Sequence, residues 1–112
     1  MRGNIVLMVV PRDLGRPRPG VVVQADELNT DFSTIFVCPM TTDVQDDLPL
    51  RPSINPSAEN GLRLRSQVMT DKMTAIRRDH IRNVIGHIDI ATAGELDRSL
   101  LVILGLARQQ PE

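Results

Sequence analysis

Short apolar segments, each closed by proline, glycine or a polar cluster, follow one another along most of this 112-residue chain. Three of them are rich in β-branched residues and predict buried strands over Asn4–Val10, Val21–Gln24 and Thr34–Pro39. Between the first two lies Pro11–Gly20, which holds three prolines and two glycines and is predicted to be a loop. The order of these segments predicts a fold built mainly from β-strands.

The second half of the chain continues this pattern. We predict a short strand over Pro49–Ile54, a turn over Asn55–Gly61 that ends in Asn-Gly, one or two strands over Leu62–Ile76 interrupted near Thr70–Asp71, a helical turn over Arg77–Ile81 and a last strand over Val84–Ile88.

A helical period appears only after the last strand. Asp89 is a plausible N-cap for a helix over Ile90–Leu104, and Gly105 stands where a C′ glycine belongs. The face predicted to be buried holds Leu96, Leu100, Ile103 and Leu104. Because strands and helices do not alternate, the predicted class is mainly β (α+β): an SH3-like, partly open β-barrel with a C-terminal α-helix, in one domain over residues 1–112.

Cysteine and histidine are too scarce for most metal or disulfide chemistry. Cys38 is the lone cysteine, and its apolar neighbours predict a buried, inert thiol. With only His80 and His87 besides, we expect no metal and no cofactor. No apolar run approaches the roughly 20 residues of a membrane span, and no cleavage site follows the apolar N-terminal stretch, so we expect a cytoplasmic protein without membrane attachment.

The net charge of −1 conceals a segregated pattern. Residues 1–20 and 63–82 are rich in arginine, whereas residues 26–47 hold six acidic residues and neither lysine nor arginine. Two basic segments separated by an acidic one are typical of a local binding site for an anion on an otherwise neutral surface. Lys72 is the only lysine, and arginine offers a planar donor fork suited to phosphate.

Standard catalytic motifs are missing from the sequence, which leaves one pair of residues as the candidate site. If the second and third strands are antiparallel neighbours, Arg18 before one and Thr41 after the other lie at the same edge of the sheet. A guanidinium beside a hydroxyl, framed by prolines, suits a phosphodiester. The residues alone favour the alternative that both belong to solvated turns.

Five segments resemble, in order and along nearly the whole chain, the motifs of one family: RGNIV from Arg2, RPGVVVQ from Arg18, VCPMTT from Val37, SQVMTDK from Ser66 and VIGHIDI from Val84. The family is that of the MazF/PemK (Kid)-type toxins of type II toxin–antitoxin systems. The resemblance implies the CcdB/MazF-like fold and a homodimer. It also implies an antitoxin partner that offers an acidic, partly disordered segment.

The activity implied by the resemblance is metal-independent, sequence-selective cleavage of single-stranded RNA, chiefly mRNA, to 2′,3′-cyclic phosphate and 5′-OH ends, which inhibits translation and growth. Arg18 matches the family's catalytic arginine and Thr41 its catalytic threonine. Further RNA contacts are expected from Asp13, Arg16, Thr42, Ser66, Asp71 and Lys72.

Three departures from the family pattern bear on substrate preference. The first loop is short and lacks Glu-Gln before Arg18, so that Asp13 and Arg16 are its polar candidates. Lys72 replaces a glutamine that could read a base edge. There is no Trp or Tyr, and Phe32 and Phe36 are the only aromatic residues, so stacking platforms for bases are scarce.

Two other functions remain open at this point. A CcdB-type toxin shares the fold and poisons DNA gyrase by binding, but it acts through a C-terminal Trp-Gly-Ile, where this chain has Leu104-Gly-Leu106. An inactive SH3-like binding module is the second alternative, supported by Lys72.

Overall fold

The computed structural model describes residues 1–9, 15–28 and 31–107. Its strands are β1 (Asn4–Met8), β2 (Arg18–Val22), β3 (Thr34–Thr41), β4 (Ser53–Ile54), β5 (Ser66–Val68), β6 (Thr74–Arg77) and β7 (Ile81–His87), and its helix is α1 (Ile90–Ile103). Short 3-10 turns occupy Asp26–Leu28, Thr70–Lys72 and Arg78–His80. The predicted interruption near Thr70–Asp71 and the predicted helical turn after Arg77 are confirmed.

The strands form one antiparallel sheet in the order β4-β5-β3-β2-β1-β7, with β6 paired to β3. The C-terminal end of β3 (Met40 and Thr41) pairs with β5, and its N-terminal part (Thr34–Val37) pairs with β6. The sheet therefore splits along β3 and curls. The result is a half-barrel with one C-terminal helix, which confirms the predicted partly open barrel.

Apolar residues cover both faces of the sheet. One buried cluster joins Val6, Met8, Val22, Ile35, Val37 and Ile76. The other lies beneath α1 and joins, among others, Ile5, Val21, Cys38, Met40, Val68, Leu96 and Leu100. Neighbouring residues of a strand point to opposite faces of the sheet. Since both faces are buried here, the central strands appear in the sequence as continuous apolar stretches and not as alternating ones.

Helix α1 is capped as predicted. The Asp89 side chain accepts a hydrogen bond from the Thr92 backbone N–H at 2.7 Å, and Gly105 follows the helix with φ of +73°. The predicted buried face is only half right. Leu96 and Leu100 are buried, whereas Ile103 and Leu104 are 37% and 51% exposed.

Arg2 ties the first strand to the helix. Its Nε donates to the Val23 carbonyl at 2.9 Å, and its guanidinium lies 2.8 Å from the Asp97 carboxylate on α1. The opening RGNIV motif therefore holds α1 against the start of β1.

Several strand boundaries differ from the prediction. Strand β2 ends at Val22 and not at Gln24, β4 is reduced to Ser53–Ile54, and β7 begins at Ile81 and not at Val84. Strand β2 begins at Arg18 and not at Val21, and β3 continues past Pro39 to Thr41. A proline predicts a strand boundary because it cannot donate to a ladder. In the structure β1 supports the start of β2, and β5 supports the end of β3, so both prolines lie inside strands.

The loop between β4 and β5 is organised by one buried side chain. Asn60 Oδ1 accepts from the backbone N–H groups of Ser57 and Leu62, and its Nδ2 donates to the Asn55 carbonyl at 2.8 Å. Gly61 follows with φ of +68°, which confirms the predicted turn. The loop then passes close to β7, where the His87 backbone N–H donates to the Glu59 carbonyl at 2.9 Å.

Candidate active site

Arg18 and Thr41 lie at one end of the sheet, where β2 begins and β3 ends. The β2–β3 ladder pairs Val22 with Val37 and Gly20 with Pro39. Extending this register by two residues brings Arg18 to the position opposite Thr41. Directly opposed residues in an antiparallel pair share a face, with Cβ atoms about 4.5–5.5 Å apart. The antiparallel pairing of β2 and β3, on which the sequence prediction depends, is therefore observed, and contact between Arg18 and Thr41 stays a prediction.

The exposure and hydrogen bonding of this pair suit contact with a ligand. Arg18 is exposed and Thr41 half-buried. The Thr41 hydroxyl oxygen accepts a hydrogen bond from the Asp43 backbone N–H at 3.0 Å. Because this bond uses an oxygen lone pair, the Thr41 O–H remains able to donate outward.

A polar network lies next to Thr41, on the neighbouring strand β5 and the loop that follows β3. Thr41 pairs with Gln67 of β5, whose side chain is buried. Gln67 Nε2 donates to the Gln45 carbonyl at 3.0 Å, and the Gln67 amide oxygen accepts from Arg51 at 3.4 Å. This network fixes the end of β3 and the loop that follows it.

Arg51 and Asp71 complete the network. Arg51 Nε and its terminal nitrogen donate to the two Asp71 carboxylate oxygens at 2.7 and 2.9 Å. The Arg51 side chain is 6% exposed and that of Asp71 is 52% exposed. The hydrogen bonds between the two side chains lower the pKa of Asp71 and raise the pKa of Arg51. Asp71 is expected from the family resemblance to contact RNA. In the structure both of its carboxylate oxygens accept hydrogen bonds from Arg51.

The remaining predicted site residues fall into separate groups. Arg16 and Lys72 are exposed, the first just before β2 and the second in the 3-10 turn Thr70–Lys72. Asp13 lies outside the described residues. Thr42 is exposed, and Ser66 is buried with its hydroxyl donating to the Leu64 carbonyl at 2.9 Å.

Thr42 and Ser66 both line a cleft of about 360 Å³. Arg63 lines it too, together with the apolar residues Leu7, Pro19, Leu62, Leu64 and Ile85. In the β1–β2 ladder Pro19 pairs with Leu7 and Arg18 with Met8, so Pro19 faces the cleft whereas Arg18 belongs to the opposite face of the sheet.

Sequence reasoning missed Arg51, Gln67 and the position of Arg63. Arg51 stands in a proline-rich apolar segment, and its partner Asp71 is 20 residues away. No local pattern indicates such a contact. Arg63 belongs to the basic segment noted in the sequence, but nothing there separates it from Arg65, whose guanidinium lies 3.5 Å from Asp46.

The other predictions about reactive groups concern Cys38 and metals. Cys38 is fully buried, and this burial raises the pKa of its thiol to about 11, as expected for an inert structural cysteine. Within residues 1–9, 15–28 and 31–107, no three His, Cys, Asp or Glu side chains are grouped as a metal site would require. Across the same residues no helix has the length and apolar character to cross a membrane.

The Arg51–Asp71 pair predicts a stability that depends on pH. The pKa of Asp71 is lower in the folded protein than in the unfolded chain, so its contribution is present above the unfolded value of about 3.9 and is lost as the pH falls through the lowered pKa. Asp71→Asn should cost about 1–3 kcal/mol at pH 7, since it leaves a buried guanidinium without its charged acceptor. Urea unfolding at pH 7 and at pH 3 measures both effects.

In that experiment the difference between wild type and Asp71→Asn should shrink at acid pH. Asp89 also has a lowered pKa, but it is present in both proteins and cancels in the comparison. Asp47→Asn, at an exposed carboxylate of the β3–β4 loop, is the control and should leave stability unchanged. An equal difference at both pH values would rule out the ion pair as its source.

The curled antiparallel half-barrel with one C-terminal helix is the architecture of the CcdB/MazF-like fold. The family described as PemK-like, MazF-like toxins of type II toxin–antitoxin systems matches residues 1–104. A protein of Mycolicibacterium smegmatis (strain ATCC 700084 / mc(2)155) named "Probable endoribonuclease MazF" is 36% identical over 93 residues, which cover 83% of this chain and 84% of that protein. This chain belongs to the PemK/MazF family of toxins, as its five motifs predict.

Solved structures agree on the fold. The Mycobacterium tuberculosis toxin MazF-mt6 superposes with a TM-score of 0.79 at 20% identity, over 94% of this chain and 99% of that one. A mycobacterial endoribonuclease in complex with its cognate antitoxin gives 0.81 at 19% identity, over 97% and 98%. The MazE–MazF assembly (Form-II) of Deinococcus radiodurans gives 0.77 at 19% identity, over 95% of each chain. At these identities the likeness establishes the fold, which is the CcdB/MazF-like fold expected from the sequence.

Proposed function

We propose that this chain is a metal-independent endoribonuclease that cleaves single-stranded RNA, chiefly mRNA, and so inhibits translation and growth as the toxin of a type II toxin–antitoxin pair. The observation that carries the proposal is the antiparallel pairing of β2 with β3, in a chain of this family, because its register puts the start of β2 and the end of β3 at the same end of the sheet. The name of the 36% identical relative, a probable endoribonuclease, supports the same activity.

In the proposed reaction, the ribose 2′-oxygen attacks the adjacent phosphorus as its proton leaves. The bond from phosphorus to the 5′-oxygen breaks, and that oxygen takes up a proton. The products are a 2′,3′-cyclic phosphate and a 5′-OH end. The step needs neither water nor a redox partner.

Arg18 and Thr41 have complementary roles in this step. The Arg18 guanidinium neutralises the charge that develops on the phosphorane, which is usually the largest electrostatic contribution to such catalysis, and can assist proton transfer. Thr41 donates its O–H to a non-bridging oxygen, and the bond from the Asp43 N–H holds that hydroxyl in place. Both groups are fixed by strand ends and not by free loops, which favours precise positioning.

RNA binding is proposed for the residues around this pair. Arg16 and Lys72 are exposed cations that can contact phosphates. Asp13 is proposed as a further RNA contact. Thr42 offers an exposed hydroxyl group in the cleft, and Ser66, whose hydroxyl donates to the Leu64 carbonyl, belongs to the same proposed set. Asp71 contributes through Arg51, because its carboxylate is held in that ion pair.

The proposed assembly is a homodimer that binds an acidic, partly disordered antitoxin segment. An apolar groove of about 530 Å³ beside the end of α1 supports a protein partner, since it is lined by exposed apolar residues that include Phe36, Leu101, Leu104 and Leu106. The basic segments support an acidic inhibitor. A toxin acting on mRNA works in the cytoplasm, and this is where we place the chain.

The test is to incubate the purified protein with mixed RNA in EDTA and, separately, with gyrase and DNA. The proposal predicts RNA cleavage in EDTA and no effect on gyrase. Gyrase poisoning without RNA cleavage would support a CcdB-type toxin instead, and inactivity in both assays would support a binding module.

A further inference from the structure

The segment that follows Thr41 is tied at both ends to one residue, Gln67. At its start, Thr41 pairs with Gln67 in the β3–β5 ladder. At its end, the Gln67 side chain holds the backbone of Gln45. Nε2 of Gln67 donates to the Gln45 carbonyl at 3.0 Å, and Oε1 accepts from the Gln45 N–H at 3.4 Å. Residues 42–44, the clamped segment, therefore lie between two anchors that both belong to a residue only 1% exposed.

The clamped segment carries the hydrogen bond that orients the Thr41 side chain. Its middle residue, Asp43, donates its backbone N–H to Thr41 Oγ1 at 3.0 Å. This bond favours the staggered rotamer of Thr41 that brings Oγ1 to the N–H. Because the two anchors limit where the Asp43 N–H can lie, they also set the direction of the Thr41 hydroxyl.

Arg51 fixes which way round the Gln67 amide is held. A guanidinium has donors only, and Arg51 donates to Gln67 Oε1 at 3.4 Å. The amide oxygen must therefore face Arg51, which leaves Nε2 toward the Gln45 carbonyl. Arg51 is held in turn by its two bonds to Asp71. The clamp thus has one satisfied arrangement, since a flipped amide would set its N–H groups against the guanidinium.

We propose that Gln67 positions the Thr41 hydroxyl for RNA cleavage by clamping the segment between Thr41 and Gln45. The inference rests on the proposed ribonuclease function and on the role of Thr41 in it. Because Gln67 is buried, it acts through the clamped segment and is a positioning residue. The bond from Thr41 to the phosphate oxygen strengthens as negative charge develops there, so loss of the clamp should lower kcat more than it raises KM.

The experiment compares Gln67→Met with Gln24→Met. Gln24 is a second buried glutamine, beyond the opposite end of β2. Its Oε1 accepts from the Phe36 N–H at 3.4 Å, and its Nε2 donates to the Leu28 carbonyl at 3.3 Å. Methionine keeps the length of either side chain and removes the same two kinds of bond. Gln67→Met should lower kcat by about 10- to 100-fold, since a misplacement of 1 Å can cost about 100-fold, whereas Gln24→Met should keep the wild-type kcat.

A second background separates positioning from a general structural effect. Thr41→Val keeps the shape of the side chain and removes its hydroxyl. If Gln67 acts through that hydroxyl, Gln67→Met should lower kcat no further in the Thr41→Val protein. In the protein without RNA, the Asp43 N–H should exchange with solvent faster in Gln67→Met than in the wild type or Gln24→Met. Thermal melting and molecular mass in solution establish that each variant is folded and assembled.

The outcomes distinguish the inference from the proposed function. Equal losses of kcat with and without the Thr41 hydroxyl would show that Gln67 acts elsewhere, and the inference would be wrong while RNA cleavage stands. An unchanged kcat in Gln67→Met, or an equal loss in Gln24→Met, would have the same meaning. So would Thr41→Val protein that cleaves at the wild-type rate, because no hydroxyl would need positioning. A wild type that cuts no RNA would overturn the proposed function and the inference together.

Discussion

Arg18→Ala is expected to lower RNA cleavage by at least about 100- to 1,000-fold and to abolish growth inhibition, since removing one charged or hydrogen-bonding group aimed at a developing oxyanion has effects of this size. The side chain is exposed at the start of β2, so its loss leaves the buried core intact. Single-turnover cleavage of a short RNA, together with melting temperature and molecular mass in solution, separates loss of chemistry from loss of structure.

Two companion variants sharpen this prediction. Arg18→Lys keeps the charge but loses the planar donor fork, and should recover only part of the activity. Arg98→Ala removes an exposed arginine from α1, away from the sheet edge, and should retain wild-type activity. Arg18→Ala protein that still cleaves RNA at the wild-type rate would remove Arg18 from the mechanism.

Gly86→Val is expected to destabilise the fold by about 3 kcal/mol or more, because a side chain has no room there and overpacking that displaces the backbone is costly. A Cβ atom at Gly86 would collide with the backbone of Glu59 and Asn60. The same approach lets the His87 N–H donate to the Glu59 carbonyl at 2.9 Å. The glycine of the VIGHIDI motif therefore allows the β4–β5 loop to close on β7, and chemical denaturation measures the loss.

Gly94→Ala is the matched control for this effect. Its Cβ would meet only the Arg98 guanidinium, at 3.5 Å, and it lies inside α1. Alanine there should stabilise the protein by about 0.5–1 kcal/mol, since glycine is a poor helix former. If Gly86→Val proved as stable as the wild type, the close approach of loop and strand would be wrong.

Signals that are local in sequence predicted much of this structure. Runs of β-branched residues indicated β1, β2 and β3, Asn60-Gly61 indicated the turn, and Asp89 with Gly105 indicated both ends of the helix. Antiparallel neighbours required only a short connection between β2 and β3. The Arg18–Thr41 edge follows from that requirement, and so it could be predicted before any coordinates.

Contacts between distant segments could not be predicted in this way. Arg51 and Asp71 are separated by 20 residues, and a bidentate ion pair leaves no periodic mark on either segment. The cleft needs β1, β5 and β7 to be placed in three dimensions. The exposure of Ile103 and Leu104 could not be predicted either, because helical period indicates which residues share a face but not which of them other parts of the chain cover.

The family relationship adds what local physics does not, namely the expectation of RNA chemistry. Residue spacing and charge alone predicted only a binding site for an anion at one end of the sheet. The PemK/MazF match over residues 1–104 turns that site into a candidate ribonuclease centre.

The most direct test of the central claim is to identify both new ends of RNA cut by the wild-type protein in EDTA. The account predicts 5′-OH ends, which polynucleotide kinase can label without prior phosphatase treatment, and 2′,3′-cyclic phosphates, which acid opens to a mixture of 2′- and 3′-monophosphates. Products bearing 5′-phosphate and 3′-OH, or cleavage that appears only when a divalent metal is added, would contradict it.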